Sequence, residues 1–229
     1  MRVLAIGDIH GCLRALDTLL DTVAPQPDDW LVTLGDYVDR GPDSRGVMLR
    51  MQDLAAGGRL IALRGNHEEM LLDARDNPAL YTLWLQYGGQ ATLDSYAAEG
   101  EGSFASIPDH DWDFLEQVCV DWFETSRHFF VHGSVDPKLP LTAQSPAVLR
   151  WQKFHDPPPH VSGKTMICGH THQDSGWPRN LGHAVCIDTW VYGSGWLTCL
   201  DAESGAFWQA NQQGQTRTGR LEDHLVRPG

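Results

Sequence analysis

The sequence has no long hydrophobic run. Nothing in its 229 residues approaches the roughly 20 consecutive apolar residues that a membrane-spanning helix needs. The opening stretch MRVLAIGDIHG carries one arginine and too few apolar residues before Gly7 to act as a secretory leader. These absences lead to the expectation of a cytoplasmic protein with no membrane partner. Cysteine is also scarce: Cys12, Cys119, Cys168, Cys186 and Cys199 are odd in number and include no C-x-x-C pair. Such scattered thiols suit a reducing compartment and core filling better than a disulfide framework. Positive charge is the third deficit, with 17 Lys and Arg against 30 Asp and Glu and a formal net charge of -13. A surface of that sign repels phosphate backbones, so no nucleic-acid duplex is expected as a partner. A local basic pocket for a single phosphate remains compatible with it. Repeats, low-complexity tracts and linkers are missing too, which leaves one domain over 1–218 and a loose polar tail over 219–229.

What is present is a series of short β-rich runs, at 3–6, 30–34, 60–63, 129–131, 165–168 and 184–187. They lack the in–out alternation of half-exposed strands and read as strands buried on both faces. Between the early runs lie helical patterns. Leu13, Leu16, Leu19, Leu20 and Val23 share one face over 13–23. A second helix is expected over 44–58, capped by Ser44 and stopped by the pair Gly57-Gly58. Alternation of this kind predicts an α/β protein with a sheet core and outer helices. Residues 69–127 form a mostly helical, insert-like segment and a candidate specificity region. Within it Gly88-Gly89 marks a break, 99–103 (EGEGS) a loop, and 111–118 a short helix. A hairpin is expected over 196–211, turning at Glu203-Ser204-Gly205.

The informative residues follow the strands. Asp8 and His10 come after the first run, and Asp36, Asp39 and Arg40 after the second. Arg64, Asn66, His67 and Glu68 come after the third, His132 after the fourth, and His170 and His172 after the fifth. Every group lies beside a glycine, and in open α/β sheets ligands gather at the carboxyl ends of strands. One Asp-x-His after a strand is ordinarily a turn, and one isolated histidine an ordinary half-buried side chain. Repetition at five strand ends is what such readings do not produce. Asp8, His10, Asp36, Asn66, His132 and His170 offer mixed imidazole and oxygen donors, which suit Mn²⁺, Fe or Zn²⁺. Six ligands are too many for one tetrahedral ion and fit two ions sharing a carboxylate. Two such ions about 3.5–4 Å apart can clamp a phosphoryl group and activate a water. His110, His128, His155, His160 and His183 lack this context and read as bystanders. VSGKT at 161–165 imitates a phosphate loop, but its first glycine would fall at Pro158.

The blocks GDIHG (7–11), GDYVDRG (35–41), RGNHE (64–68), VHG (131–133) and GHTH (169–172) closely resemble the signature of the phosphoprotein phosphatase family. That family belongs to the calcineurin-like metallophosphoesterases, and the chain is most similar to its small bacterial and phage serine/threonine members. WLQYGGQATLDSY (84–96) and IDTWVYGSGWLTCLD (187–201) add to the likeness. The usual pattern has glycine near Trp190, so a reshaped loop is expected there. The resemblance implies a four-layer αββα sandwich of two packed mixed sheets flanked by helices. It implies one metal on Asp8, His10 and Asp36, and another on Asp36, Asn66, His132 and His170, with Asp36 bridging. Mn²⁺ is the expected pair of ions. Asp39 and His67 match the family's acid dyad: the carboxylate fixes the imidazole tautomer, and His67 protonates the leaving oxygen while metal-activated hydroxide attacks phosphorus in line.

Arg40 offers a planar fork to phosphate oxygens, and Asn66 is a further phosphate contact. Arg64 is either another phosphate ligand or a partner of Glu68. The family also uses a late basic residue, here Arg150 in preference to Lys153. His172 is an alternative to His170, and Trp190 or Trp196 are candidates to line the cleft. The implied activity is hydrolysis of phosphoserine and phosphothreonine, with phosphotyrosine as an added substrate. Symmetrical diadenosine tetraphosphate hydrolysis is the alternative, since those hydrolases resemble the same blocks. A non-catalytic metal-binding scaffold is a remote third reading.

Overall fold

The computed structural model describes residues 1–97 and 102–226. The first sheet runs in the order β12 (Thr216–Arg220), β11 (Ala206–Ala210), β10 (Trp196–Asp201), β1 (Val3–Ile6), β2 (Trp30–Thr33), β3 (Leu60–Ala62), with β9 (Asp188–Thr189) also on β10. In the second the order is β4 (Trp122–Glu124), β5 (His128–Val131), β6 (Thr165–Cys168), β8 (Ala184–Cys186), β7 (Arg179–Asn180). β1, β2 and β3 are parallel, as are β5, β6 and β8; antiparallel strands complete both sheets. Parallel strands need crossovers, which α1 (Leu13–Val23) and α2 (Ser44–Ala56) supply.

The layers explain the unalternating strand sequences. Val3 and Ala5 of β1 enter the core between the sheets, with Val32, Leu34 and Leu63 facing Phe130, Ile167, Val185 and Ile187. Leu4 and Ile6 point the other way, onto Leu16 and Leu19 of α1 and Val47, Met48 and Met51 of α2. In the second sheet Phe129, Val131, Met166 and Cys168 turn outward to Leu149 of α7 (Pro146–Trp151) and to Phe154. Each central strand is therefore buried on both faces, so apolar residues occupy successive positions. This is the expected four-layer sandwich. The five cysteines are all buried and none is in a disulfide.

Several local expectations are corrected. The N-cap of α2 is Asp43, whose carboxylate accepts the Gly46 N–H at 2.7 Å, while Ser44 is fully buried and turns inward. The 69–127 segment comprises most of α3 (Asn66–Asp76), then α4 (Pro78–Trp84), a π-helical turn (Leu85–Gly89), α5 (Gln90–Tyr96) and α6 (Asp109–Asp113) continuing into a second π turn (Phe114–Val118). It ends in β4, an edge strand that helical periodicity does not reveal. The loop expected over 99–103 falls largely on residues outside those described. The tail is not loose where it is described: residues 219 and 220 belong to β12, a 3₁₀ turn follows (Leu221–His224), and the His224 ring stacks on Trp177 at 4.9 Å. Val226 N–H then reaches Asn180 O at 2.8 Å. Gly219 makes this possible, because a Cβ there would lie 2.4 Å from the Phe207 ring. The end of the tail, 227–229, lies outside the described residues.

Candidate active site

The parallel strands of both sheets end on one side of the molecule, and the chain leaves them through sharp turns. His10, Asp36, Asp39, Arg40 and His170 adopt left-handed backbone conformations, with φ of 45°, 52°, 71°, 68° and 64°. Non-glycine residues there each cost about 1–3 kcal/mol, a strain that persists only where surrounding bonds over-determine it. The bonds are present. Asp36 O accepts the N–H of Ile9 at 3.0 Å and of His10 at 2.7 Å, tying the first turn to the second. Glu68, fully buried, accepts the N–H of Asp36, Tyr37 and Gly65 at 2.8, 2.7 and 2.8 Å, tying the second turn to α3. Gly65 is required for that approach, since a Cβ would sit 2.1 Å from Asp36 Oδ1.

These turns bring together all six expected ligands. Asp36 directs Oδ2 to His10 Nε2 at 3.3 Å and Oδ1 to His132 Nε2 at 3.4 Å, so its two oxygens face two different groups. Asn66 Oδ1 lies 2.9 Å from His132 Nε2 and 2.8 Å from His170 Nδ1. Asp8 accepts the His170 N–H at 2.9 Å. Tautomers follow from the outer nitrogens. His10 Nδ1–H donates to Val38 O at 2.9 Å, His132 Nδ1–H to Leu34 O at 2.8 Å and His170 Nε2–H to Trp151 O at 3.1 Å. Each imidazole therefore turns a lone pair toward the carboxylate and amide oxygens of the cluster. Acceptors facing acceptors in a buried site call for cations between them, and the residues fit a pair of divalent ions.

Charge argues the same way. Burial, then the neighbouring carboxylates Asp188 and Asp36, pushes Asp8 well above the usual carboxylate range. Burial acts on Asp36 likewise, but His132, His67 and His10 together hold it well below. Glu68 is pushed up to about 8 by burial and Asp36, and His170 down to about 4 by burial and His132. Asp188 is raised chiefly by burial, while the Trp190 N–H partly offsets the rise. Divalent cations would relieve the repulsion among these carboxylates.

Beside the cluster, His67 Nδ1–H donates to Asp39 Oδ2 at 2.7 Å, which leaves Nε2 for a reacting oxygen. Burial lowers the proton affinity of His67, opposed by Asp36 and by the bond to Asp39. Arg40 lies over the Tyr192 ring at 4.5 Å with Nη1 3.1 Å from His10 Nε2. A cleft of about 490 Å³ opens here, with Asp36, Asn66, His67 and His170 on its floor and Arg40, Tyr87, Trp151, Lys153 and Tyr192 on its walls.

Other expectations fail. Arg64 Nη2 donates to Leu115 O at 2.5 Å and Glu116 O at 2.9 Å, anchoring the second π turn; it neither pairs with Glu68 nor lines the cleft. Arg150 is held between Glu69 and Asp121, both at 2.5 Å, and Lys153 takes the place on the cleft wall. His172 lines the wall and stacks on Trp190 rather than replacing His170. His155, read as a bystander, lines the wall as well, whereas Trp196 packs on Arg217. Trp190 has φ of 65°, held by its N–H on Asp188 Oδ1 at 3.0 Å, which accounts for a glycine being usual near that place. Sequence reasoning assigns no role to Asp188, Trp84 or Thr92, and gives Ser44 only a helix cap and Glu68 only a pairing with Arg64. Asp188 carries the same signal as the ligands, an acid following an apolar run; Trp84 and Thr92 carry none, because their partner lies 45 and 53 residues away.

Residues 1–174 match the calcineurin-like phosphoesterase family, and the chain belongs to that family. The chain aligns with 58% or less of the length of each curated relative named below. It is 37% identical over 135 residues to serine/threonine-protein phosphatase 1 of Salmonella typhimurium, a match covering 57% of this chain and 58% of that one. It is 46% identical over 68 residues to the symmetrical bis(5'-nucleosyl)-tetraphosphatase of Ralstonia nicotianae, covering 30% of this chain and 23% of that protein. Its fold is shared with the crystal structure of a provisionally named diadenosine tetraphosphatase, at 21% identity and a TM-score of 0.66, covering 96% of this chain and 93% of that one. Among the described residues, no helix is long and apolar enough to cross a membrane.

Proposed function

We propose that the protein is a metal-dependent phosphomonoesterase acting on phosphoserine and phosphothreonine in proteins or peptides, with phosphotyrosine as a further substrate. The observation that carries the reading is the placement of the His67–Asp39 pair and Arg40 around one cleft whose floor is the His/Asp/Asn cluster. Asp8, His10 and Asp36 would hold one ion and Asp36, Asn66, His132 and His170 the other, with Mn²⁺ favoured by the mixed donor set and Fe or Zn²⁺ as alternatives. Bound ions would supply Lewis acidity at the phosphoryl oxygens and activate the attacking water. Arg40 then grips phosphate oxygens with its planar fork, its face supported by Tyr192. Nε2 of His67 carries the proton that the leaving oxygen takes as its bond to phosphorus breaks. Asp39 keeps the imidazole oriented and stabilises its charged form.

The likeness to the Salmonella phosphatase over more than half of the chain supports a phosphoprotein substrate. A second reading, cleavage of dinucleoside polyphosphates, draws on the Ralstonia relative and on Lys153 and His155, extra basic groups on the cleft wall suited to further phosphates. The test is a comparison of kcat/KM on Mn²⁺-loaded protein for a phosphothreonine peptide, a phosphotyrosine peptide and diadenosine tetraphosphate. The phosphothreonine peptide is expected to lead. A dinucleotide preference would overturn the substrate assignment and keep the site.

A further inference from the structure

The helical segment after α3 reaches the acid dyad at several further points. Trp84, at the end of α4 and 1% exposed, aims its Nε1–H at both oxygens of Asp39, 2.9 Å from Oδ2 and 3.1 Å from Oδ1. Thr92, on α5 and fully buried, donates Oγ1–H to Asp39 Oδ1 at 2.7 Å and accepts the Asp39 N–H at 2.8 Å. Ser44 Oγ accepts from the same N–H at 3.1 Å and touches Thr92 Oγ1 at 3.1 Å. With His67 Nδ1–H on Oδ2 at 2.7 Å, both carboxylate oxygens are filled by donors from separate parts of the chain. The π turn between Trp84 and Thr92 also brings Gly88 O to the Arg40 N–H at 3.1 Å. Turns of this kind recur at functional sites.

A buried indole N–H needs some acceptor, and a mid-helix threonine commonly bonds its own backbone. Here both side chains instead meet the one carboxylate that orients His67. We propose that Trp84 and Thr92 are positioning residues for the hydrolytic step, which makes residues 84–92 part of the catalytic apparatus rather than a peripheral insert. Rotation of Asp39 about its side-chain bonds would turn the His67 ring away from the leaving oxygen, and these two donors block that rotation. In the step itself a water-derived hydroxide oxygen bonds to phosphorus as the bond from phosphorus to the leaving oxygen breaks; the leaving oxygen keeps that electron pair and takes the Nε2 proton from His67. The proposal rests on His67 as the proton donor.

The test uses Thr92→Val, which removes the hydroxyl at constant shape, Trp84→Phe, which removes the N–H, and Thr92→Ser, which keeps the hydroxyl. Turnover is measured on a phosphoserine peptide, whose leaving oxygen needs a proton, and on p-nitrophenyl phosphate, whose leaving group does not. Thr92→Val and Trp84→Phe should each lower kcat on the peptide by about 10-fold, the scale of one hydrogen bond to a charged group. The nitrophenyl ester should change far less, KM should hold, and Thr92→Ser should recover the peptide rate. An equal fall on both substrates, or no recovery by serine, would overturn the proposal; should Thr92→Val not fold, Trp84→Phe carries the same comparison. The second readout is the proton resonance of His67 Nδ1–H in metal-free protein, identified by its loss in His67→Asn. It should shift and exchange faster with water in Thr92→Val and Trp84→Phe. An unmoved resonance overturns the clamp, whereas a wild-type enzyme indifferent to the leaving group overturns the acid assignment beneath it.

Discussion

Replacing Gly88 by alanine isolates what backbone geometry contributes to the phosphate site. Gly88 sits at φ 107° and ψ 8° inside the π turn, a conformation that side chains disfavour. A Cβ at this position would lie 2.7 Å from Arg40 Cγ and 2.9 Å from Arg40 N. Two costs follow: strain of about 1–3 kcal/mol for the conformation, and about 1–3 kcal/mol for forcing the backbones apart. The bond from Arg40 N–H to Gly88 O at 3.1 Å would be stretched as well. Gly58→Ala is the control, because Gly58 has φ of 76° but a Cβ added there would meet nothing within 4 Å, so only conformational strain applies. Equilibrium urea unfolding of both variants, with competitive inhibition by inorganic phosphate, separates the contributions. Gly88→Ala should lose at least about 1 kcal/mol more stability than Gly58→Ala, and phosphate should bind several-fold more weakly as Arg40 is displaced. Equal losses in the two variants with phosphate affinity intact would refute the argument that this turn sets the arginine.

Asp36→Asn should lower the content of both ions as measured by metal analysis of the purified protein, since its two oxygens face His10 and His132 separately; loss of one ion alone would rule out the bridge. Chelation should abolish hydrolysis and Mn²⁺ restore it, and activity that survives complete metal removal would contradict the cluster's role. Acid stability should depend on Asp29, far from the site. Burial alone would raise its carboxyl, but the Arg2 side chain and the N–H groups of Gln26 and Arg2 hold it down to about 2 against an ordinary value of 3.8. Its folded-state value is the lower one, so its contribution of roughly 2 kcal/mol is present at neutral pH and disappears as pH falls from about 4 through about 2. In Asp29→Asn that part of the acid transition should vanish from urea midpoints measured across the same range; an unchanged profile would assign it elsewhere.

The six candidate ligands stood out in the sequence because each follows a strand and sits next to glycine, and the Asp39–His67 pair because its blocks resemble the family's; the structure places these residues together. The doubly buried strands were legible for a related reason: Val3 and Leu4 face different cores, so neither position tolerates a polar residue. Arg64 and Arg150 were not legible. Both have the right charge and stand near the right segments, but their direction depends on acceptors such as Leu115 O and Asp121 that lie 51 and 29 residues away. Order in the tail was hidden as well, because β12 contains no apolar residue; its place depends on hydrogen bonds to β11 and on Gly219 lying against Phe207.

Sequence by itself determined which residues can bind cations, take a phosphate and carry a proton, since those properties belong to side chains and to short turns. Tertiary structure alone decided which oxygen faces which imidazole, which basic residue enters the cleft, and that Trp84 and Thr92 close on Asp39. The physical reason is range. Chemical identity and turn geometry are fixed within a few residues, whereas the direction of a long side chain and the partner of a buried donor are fixed by whatever packing brings within about 3 Å.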